Sequence, residues 1–124
     1  MSENRVSGSD GEMLACVYIK NLGMEILERN YHFGHCEIDI IARDGNTLVF
    51  IEVKSRSNIN YGVPEAAVTK TKQRRIIYAA QGYIKTKRFF GRSMRFDVIS
   101  IINGKVTKYI KSAFDTTYLG GWYL

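Results

Sequence analysis

A single α/β domain, with a mixed central sheet flanked by helices in the order α-β-β-β-α-β-β, is the fold class that the sequence predicts. Three observations lead there. The chain has 124 residues, 45% of them apolar and 24% charged, which suits one hydrophobic core and argues against disorder. Two segments repeat apolar residues at helical spacing, and between and after them stand short apolar runs of strand length. Two pairs of those runs are joined by the tight-turn signals Asp44-Gly45-Asn46 and Asn103-Gly104.

The first ten residues read as a loose leader. Ser9 or Asp10 can cap a helix by accepting its free backbone N–H groups, and Leu14, Ala15, Tyr18, Ile19 and Leu22 then recur at helical spacing until Gly23 ends the run. Ile26 to Phe33 reads as a strand of poor alternation. Cys36 to Arg43 and Thr47 to Arg56 are the strongest strands and should form a hairpin. After the polar connection Ser57 to Val63, Pro64 fits the first turn of a helix, where its missing N–H costs little. That helix should run to about Lys87 with Ala67, Ile76, Ile77, Ala80, Tyr83 and Ile84 as apolar positions, and Gly82 weakens it. Met94 to Ile102 and Val106 to Ile110 form a second hairpin. Residues 11–111 are thus expected to make the domain and 112–124 an aromatic tail containing Phe114, Tyr118, Trp122 and Tyr123.

No apolar run approaches the roughly 20 residues that span a bilayer. The first twelve residues are polar with three acids, unlike a signal peptide, and two cysteines cannot make a disulfide scaffold or a structural zinc site. A soluble, reduced, cytoplasmic protein is expected. The net charge of +6 is unevenly spread. Residues 66–96 hold nine basic groups, Lys70, Lys72, Arg74, Arg75, Lys85, Lys87, Arg88, Arg92 and Arg95, and no acid. Such a stretch serves either as a phosphate-binding face or as a solvated helix surface.

The sharpest feature lies in the first hairpin. Alternation puts Glu37, Asp39 and Ile41 on one face of their strand and Ile38 and Ile40 on the other; on the next strand Leu48, Phe50, Glu52 and Lys54 share a face. Glu52 sits within the apolar run Leu48-Val49-Phe50-Ile51-Glu52-Val53, where an unpaired charge is hard to justify by packing. A two-residue loop at Gly45-Asn46 makes paired residue numbers sum to 91 and sets Asp39 opposite Glu52, with Cβ atoms about 4.5–5.5 Å apart. Two carboxylates so close repel unless a cation intervenes, and a hard divalent ion such as Mg²⁺ suits oxygen ligands. That arrangement fits phosphodiester hydrolysis, with Lys54 facing the developing negative charge. A structural salt bridge of Lys54 with its acidic neighbours is the other reading of the same spacing.

Asp39 followed by Glu52-Val53-Lys54 resembles the PD-(D/E)xK motif of restriction-endonuclease-like nucleases. More closely, the chain is similar to the YraN-like family of predicted endonucleases, distantly related to archaeal Holliday-junction resolvases. The matching segments cover roughly residues 11–102: Gly11-Glu12, Gly23 through Asn30-Tyr31, Glu37 through Gly45, Leu48 through Arg56, Gly62 with Pro64-Glu65-Ala66, Lys72 through Arg75, and Arg95-Phe96-Asp97-Val98. The family usually has Gly before its Glu-Ile-Asp segment; here Cys36 stands there, after Gly34-His35, and His35 with Cys36 has no second pair to bind zinc.

The resemblance implies a restriction-endonuclease-like core and a Mg²⁺-dependent nuclease site, with Mn²⁺ as the alternative ion. Asp39 and Glu52 would be metal ligands and Lys54 the catalytic lysine. Glu12 matches the extra acid of resolvase-type sites, or simply favours the helix dipole. Gln73 matches an accessory position on the following helix. Lys70, Lys72, Arg74, Arg75, Lys85, Lys87 and Arg88 would bind nucleic acid, DNA rather than RNA, and the paired strands of a junction make a homodimer an expectation. A nucleic-acid-binding module with a vestigial site, and an interaction domain using the aromatic tail, are the competing functions.

Overall fold

Two-residue reversals and one helical crossover set the order of the sheet. The structure, a computed structural model, describes residues 8–57 and 68–116. Its elements are α1 (Gly8–Asn21), β1 (Glu25–Phe33), β2 (Cys36–Asp44), β3 (Thr47–Arg56), α2 (Lys70–Lys87), β4 (Met94–Ile102) and β5 (Lys105–Phe114). The strands lie side by side in sequence order, antiparallel except for the parallel pair β3 and β4 that α2 connects. The reversal between β2 and β3 places Gly45, at φ +61°, in the first central position, and the Asn103-Gly104 turn has φ of 52° and 75°, the left-handed pair that a type I′ hairpin needs. Asp44 pairs with Thr47 and Ile40 with Ile51, so the expected register holds along this ladder.

Among the described residues, each face of the sheet carries one helix and one core. On the α2 side, Ile76, Ile77, Ala80, Tyr83 and Ile84 pack on Ile38, Ile41, Leu48, Phe50, Phe96 and Val98. On the α1 side, Ala15, Cys16 and Ile19 pack on Ile40, Ala42, Val49, Ile51, Ile99 and Ile101. Both faces of β2, β3 and β4 are covered, so these strands read as nearly continuous apolar runs. Among the described residues no helix is long and apolar enough to cross a membrane.

Three sequence expectations change. The first helix begins at Gly8, so Gly8, Ser9 and Asp10 lie within α1 rather than in a leader or at its cap. The second helix begins at Lys70 rather than Pro64. Thr69 is extended (φ −64°, ψ 164°), and its hydroxyl accepts the Lys72 N–H, so it is the N-cap that stops any helix running through from Pro64. Pro64 and Ala67 themselves lie outside the described residues. At the other end, β5 continues to Phe114, whose ring stacks on Phe96 with centroids 5.0 Å apart. Tyr118, Trp122 and Tyr123 lie outside the described residues.

Gly82 sits within an uninterrupted α2 because the helix closes directly on β1. A Cβ added there would stand 2.5 Å from Cγ and Cδ1 of Phe33. Replacing Gly82 by Ala gains about 1 kcal/mol of helix propensity. The overpacking outweighs that gain, and a net loss of about 1–2 kcal/mol is expected in urea unfolding.

Candidate active site

The ladder between β2 and β3 ends at Ile40–Ile51, and the site lies where the strands part. Asn30 on β1 adopts a left-handed conformation (φ 52°) opposite this point, between the pairs Arg29–Ile40 and Tyr31–Ile38. Asparagine tolerates that conformation better than most residues. The pleat therefore reverses at Asp39: Ile38 packs on the α2 side with Ile41, while Ile40 packs on the α1 side. This corrects the simple alternation, which grouped Ile38 with Ile40. Asp39 points along the sheet, and its Oδ2 accepts the Val53 N–H at 2.8 Å, a donor that a continued ladder would have used.

The same reversal turns Glu37 toward α1. Gly11 lets α1 approach β3 closely, since a Cβ there would lie 3.0 Å from Ser55 Oγ, and Glu12 follows at once. Carboxylate oxygens of Glu12, Glu37 and Asp39 come within 4.8 Å of one another. Sequence alternation had placed Glu37 beside Asp39 without assigning it a role. His32 also faces Glu37, Nε2 to Oε1 at 3.4 Å.

Glu52 lies outside that cluster of three, on the α2 side of β3, and adjoins it through Asp39. It is 5% exposed and in hydrogen-bonding contact with Asp39. Lys54 Nζ stands 3.2 Å from its Oε2, and Lys72 Nζ, from the first turn of α2, 3.6 Å from the same oxygen. Gln73 is directed elsewhere: its amide donates to the Val68 carbonyl at 3.0 Å.

Burial, and next the charge of Glu52, push the Asp39 carboxyl up to about 7, against the Val53 N–H, which favours the ionised form. A folded-state value above the unfolded one means that the native state holds the extra proton. Stability from this group is fully present below about pH 4 and is lost as pH rises through about 7. Thermal unfolding in a chelator should show that decline for the wild type, with a smaller decline for Asp39→Asn.

A site that retains a proton is one that favours added positive charge. The four acids offer only oxygen donors, the set that suits Mg²⁺ or Mn²⁺ rather than a softer ion. The residues therefore fit a hard divalent cation, with Asp39 and Glu52 beside each other and Glu12 and Glu37 closing from the α1 side.

The basic stretch divides. Lys70, Arg74, Arg75, Lys85, Lys87 and Arg88 are exposed, along or just after an α2 that contains no acid. Lys87 reaches Glu28 at 3.9 Å. Arg95 does not belong to this surface. It is held inside by Asp97, through Nε at 3.2 and 3.1 Å, and by Asp44 at 2.9 Å.

The profile of the family described as "Uncharacterised protein family UPF0102" matches residues 11–101. A UPF0102 protein of Geotalea daltonii is 46% identical over 121 residues, covering 94% of this chain and 95% of its own. One from Persephonella marina is 43% identical over 113 residues, covering 91% and 97%. A third, from Chlorobium chlorochromatii, is 48% identical and covers 86% and 89%. With the profile spanning the domain and relatives matched nearly end to end, the chain belongs to the UPF0102, or YraN-like, family.

Proposed function

We propose that this protein is a divalent-metal-dependent endonuclease that hydrolyses phosphodiester bonds in structured or branched DNA. The observation that carries the reading is the meeting of Asp39 and Glu52 at the parting of β2 and β3, with Lys54 3.2 Å from Glu52. Nothing in core packing requires two acids in contact there, and their repulsion lowers stability unless a cation is held. Family resemblance to resolvase-type nucleases and the exposed basic groups of α2 support the same reading.

A bound Mg²⁺ or Mn²⁺ would supply polarisation of the scissile phosphate and a more acidic water. The protein's part is positional. Asp39 and Glu52 would hold the cation, with Glu12 and Glu37 beside Asp39, and the Val53 N–H fixes the Asp39 carboxylate. Lys54 presents an ammonium to the charge that develops on the phosphoryl oxygens. Arg74, Arg75, Lys85 and Arg88 attract the backbone on either side, with a salt-dependent affinity.

The test is cleavage of four-way, flapped and single-stranded DNA, and of RNA, with Mg²⁺ or Mn²⁺, by wild type, Asp39→Asn and Glu52→Gln. Metal-dependent cutting by the wild type alone supports the reading. Equal cutting by all three proteins contradicts it, and salt-dependent binding without turnover establishes the non-catalytic binding module instead.

A further inference from the structure

We propose that Lys72 is a second phosphate-binding lysine of this site, delivered by α2, which shields Glu52 until a cation arrives. The inference rests on the nuclease reading above and extends it to a residue otherwise assigned to general backbone binding.

Two observations carry it. The first is geometric. Lys54 and Lys72 come from different elements yet meet the same oxygen, Oε2 of Glu52, at 3.2 and 3.6 Å. Glu52 is thus faced by two ammonium groups where no metal is bound. The second is a local conflict in the sequence. The positive end of a helix dipole favours acids in the first turn, but α2 has none there and carries Lys70 and Lys72 instead. Thr69 caps the helix through the Lys72 backbone N–H, which fixes the base of that side chain in the first turn of α2. Helix stability is thus given up where a cation is placed beside Glu52, a pattern expected at functional positions.

Both ammonium groups would be repelled from Glu52 were a divalent ion bound there. Lys54 is 24% exposed and enclosed, whereas the Lys72 side chain is 40% exposed on a flexible four-carbon stem. Lys72 is the one free to swing out, and the anionic phosphodiester entering with the cation is the partner that meets it. Charge balance is then restored with Lys72 on the substrate, so a single side chain links cation binding to substrate binding.

Lys72→Met and Lys72→Arg, with Lys20→Met as a control for the loss of one charge at the far end of α1, test this in the full-length chain. Titration of the metal-free protein with Mn²⁺ should show Lys72→Met binding about threefold or more tightly than wild type, because a competing ammonium is gone. At saturating Mn²⁺, the same variant should cut DNA about tenfold or more slowly, mainly through a higher KM. Lys72→Arg should recover most of the cutting, and Lys20→Met should match wild type in both. Tighter metal with slower cleavage is a combination that a merely structural role does not produce. Unchanged or weaker Mn²⁺ binding, or cleavage within twofold of wild type, overturns the role of Lys72 and leaves the nuclease reading standing. A wild type that cuts no substrate overturns the nuclease reading and the phosphate role of Lys72 together.

Discussion

Asp97→Ala is expected to lower the stability of the fold by about 3–5 kcal/mol, enough to leave much of the protein unfolded at physiological temperature. Asp97 is 1% exposed, in the middle of β4. Its two oxygens receive Arg95 Nε, the Tyr109 hydroxyl at 2.5 Å and the Ser112 backbone N–H at 2.9 Å. Arg95 extends the network to Asp44 at the end of β2, so the carboxylate ties β4 to β5 and, through Arg95, to β2. Removing it leaves a guanidinium with 12% of its side chain exposed holding Asp44 alone of its two carboxylates, and a part-buried hydroxyl without its acceptor. Burial and the bond to Asp97 raise the Tyr109 phenol far above its ordinary value, so Tyr109 is a donor throughout the accessible pH range. Chemical denaturation followed by circular dichroism measures the loss. A change below about 1 kcal/mol would show that the network is dispensable.

This network shows where sequence reasoning stops. Asp97 lies in an apolar strand just as Glu52 does, and the same desolvation argument flags both. Strand alternation puts Arg95 on the face of Asp97, two residues away, but does not pair them, because Arg95 reads equally as one more basic group of the surface stretch. The sheet itself was legible. Gly45-Asn46 and Asn103-Gly104 dictated the reversals, and the first set the β2–β3 register through Ile40–Ile51. Alternation sets Glu37 beside Asp39, but its turn toward α1 and Glu12 was not legible, because it depends on the left-handed Asn30 in the neighbouring strand, which breaks alternation at Asp39. The start of α2 was misplaced for a local reason. Pro64 carries a strong first-turn signal, while Thr69 caps with no acid following, so the true cap gave the weaker pattern.

Asp39→Asn carries the second large effect, and its two readouts move in opposite directions. Metal-dependent cleavage should fall about 10³-fold or more, since the cation loses a ligand at the centre of the site. Stability in a chelator at pH 8 should rise, because the amide removes an ionised carboxylate pressed against Glu52 while its carbonyl still accepts the Val53 N–H. The gain should vanish near pH 4, where the wild-type carboxyl is protonated. A residue kept at a cost in stability and needed for activity is the pattern of a functional site. A variant that is both less stable and equally active would place Asp39 among structural residues instead.

We propose that the parting of β2 and β3 holds a hard divalent cation between acids of α1, β2 and β3. Calorimetric titration of the metal-free protein with Mn²⁺ at pH 8 should show saturable binding that is lost or severely weakened in Asp39→Asn and in Glu52→Gln, and that weakens in the wild type as pH falls below about 7. Binding that is absent in the wild type, or the same in all three proteins, rules the cation site out.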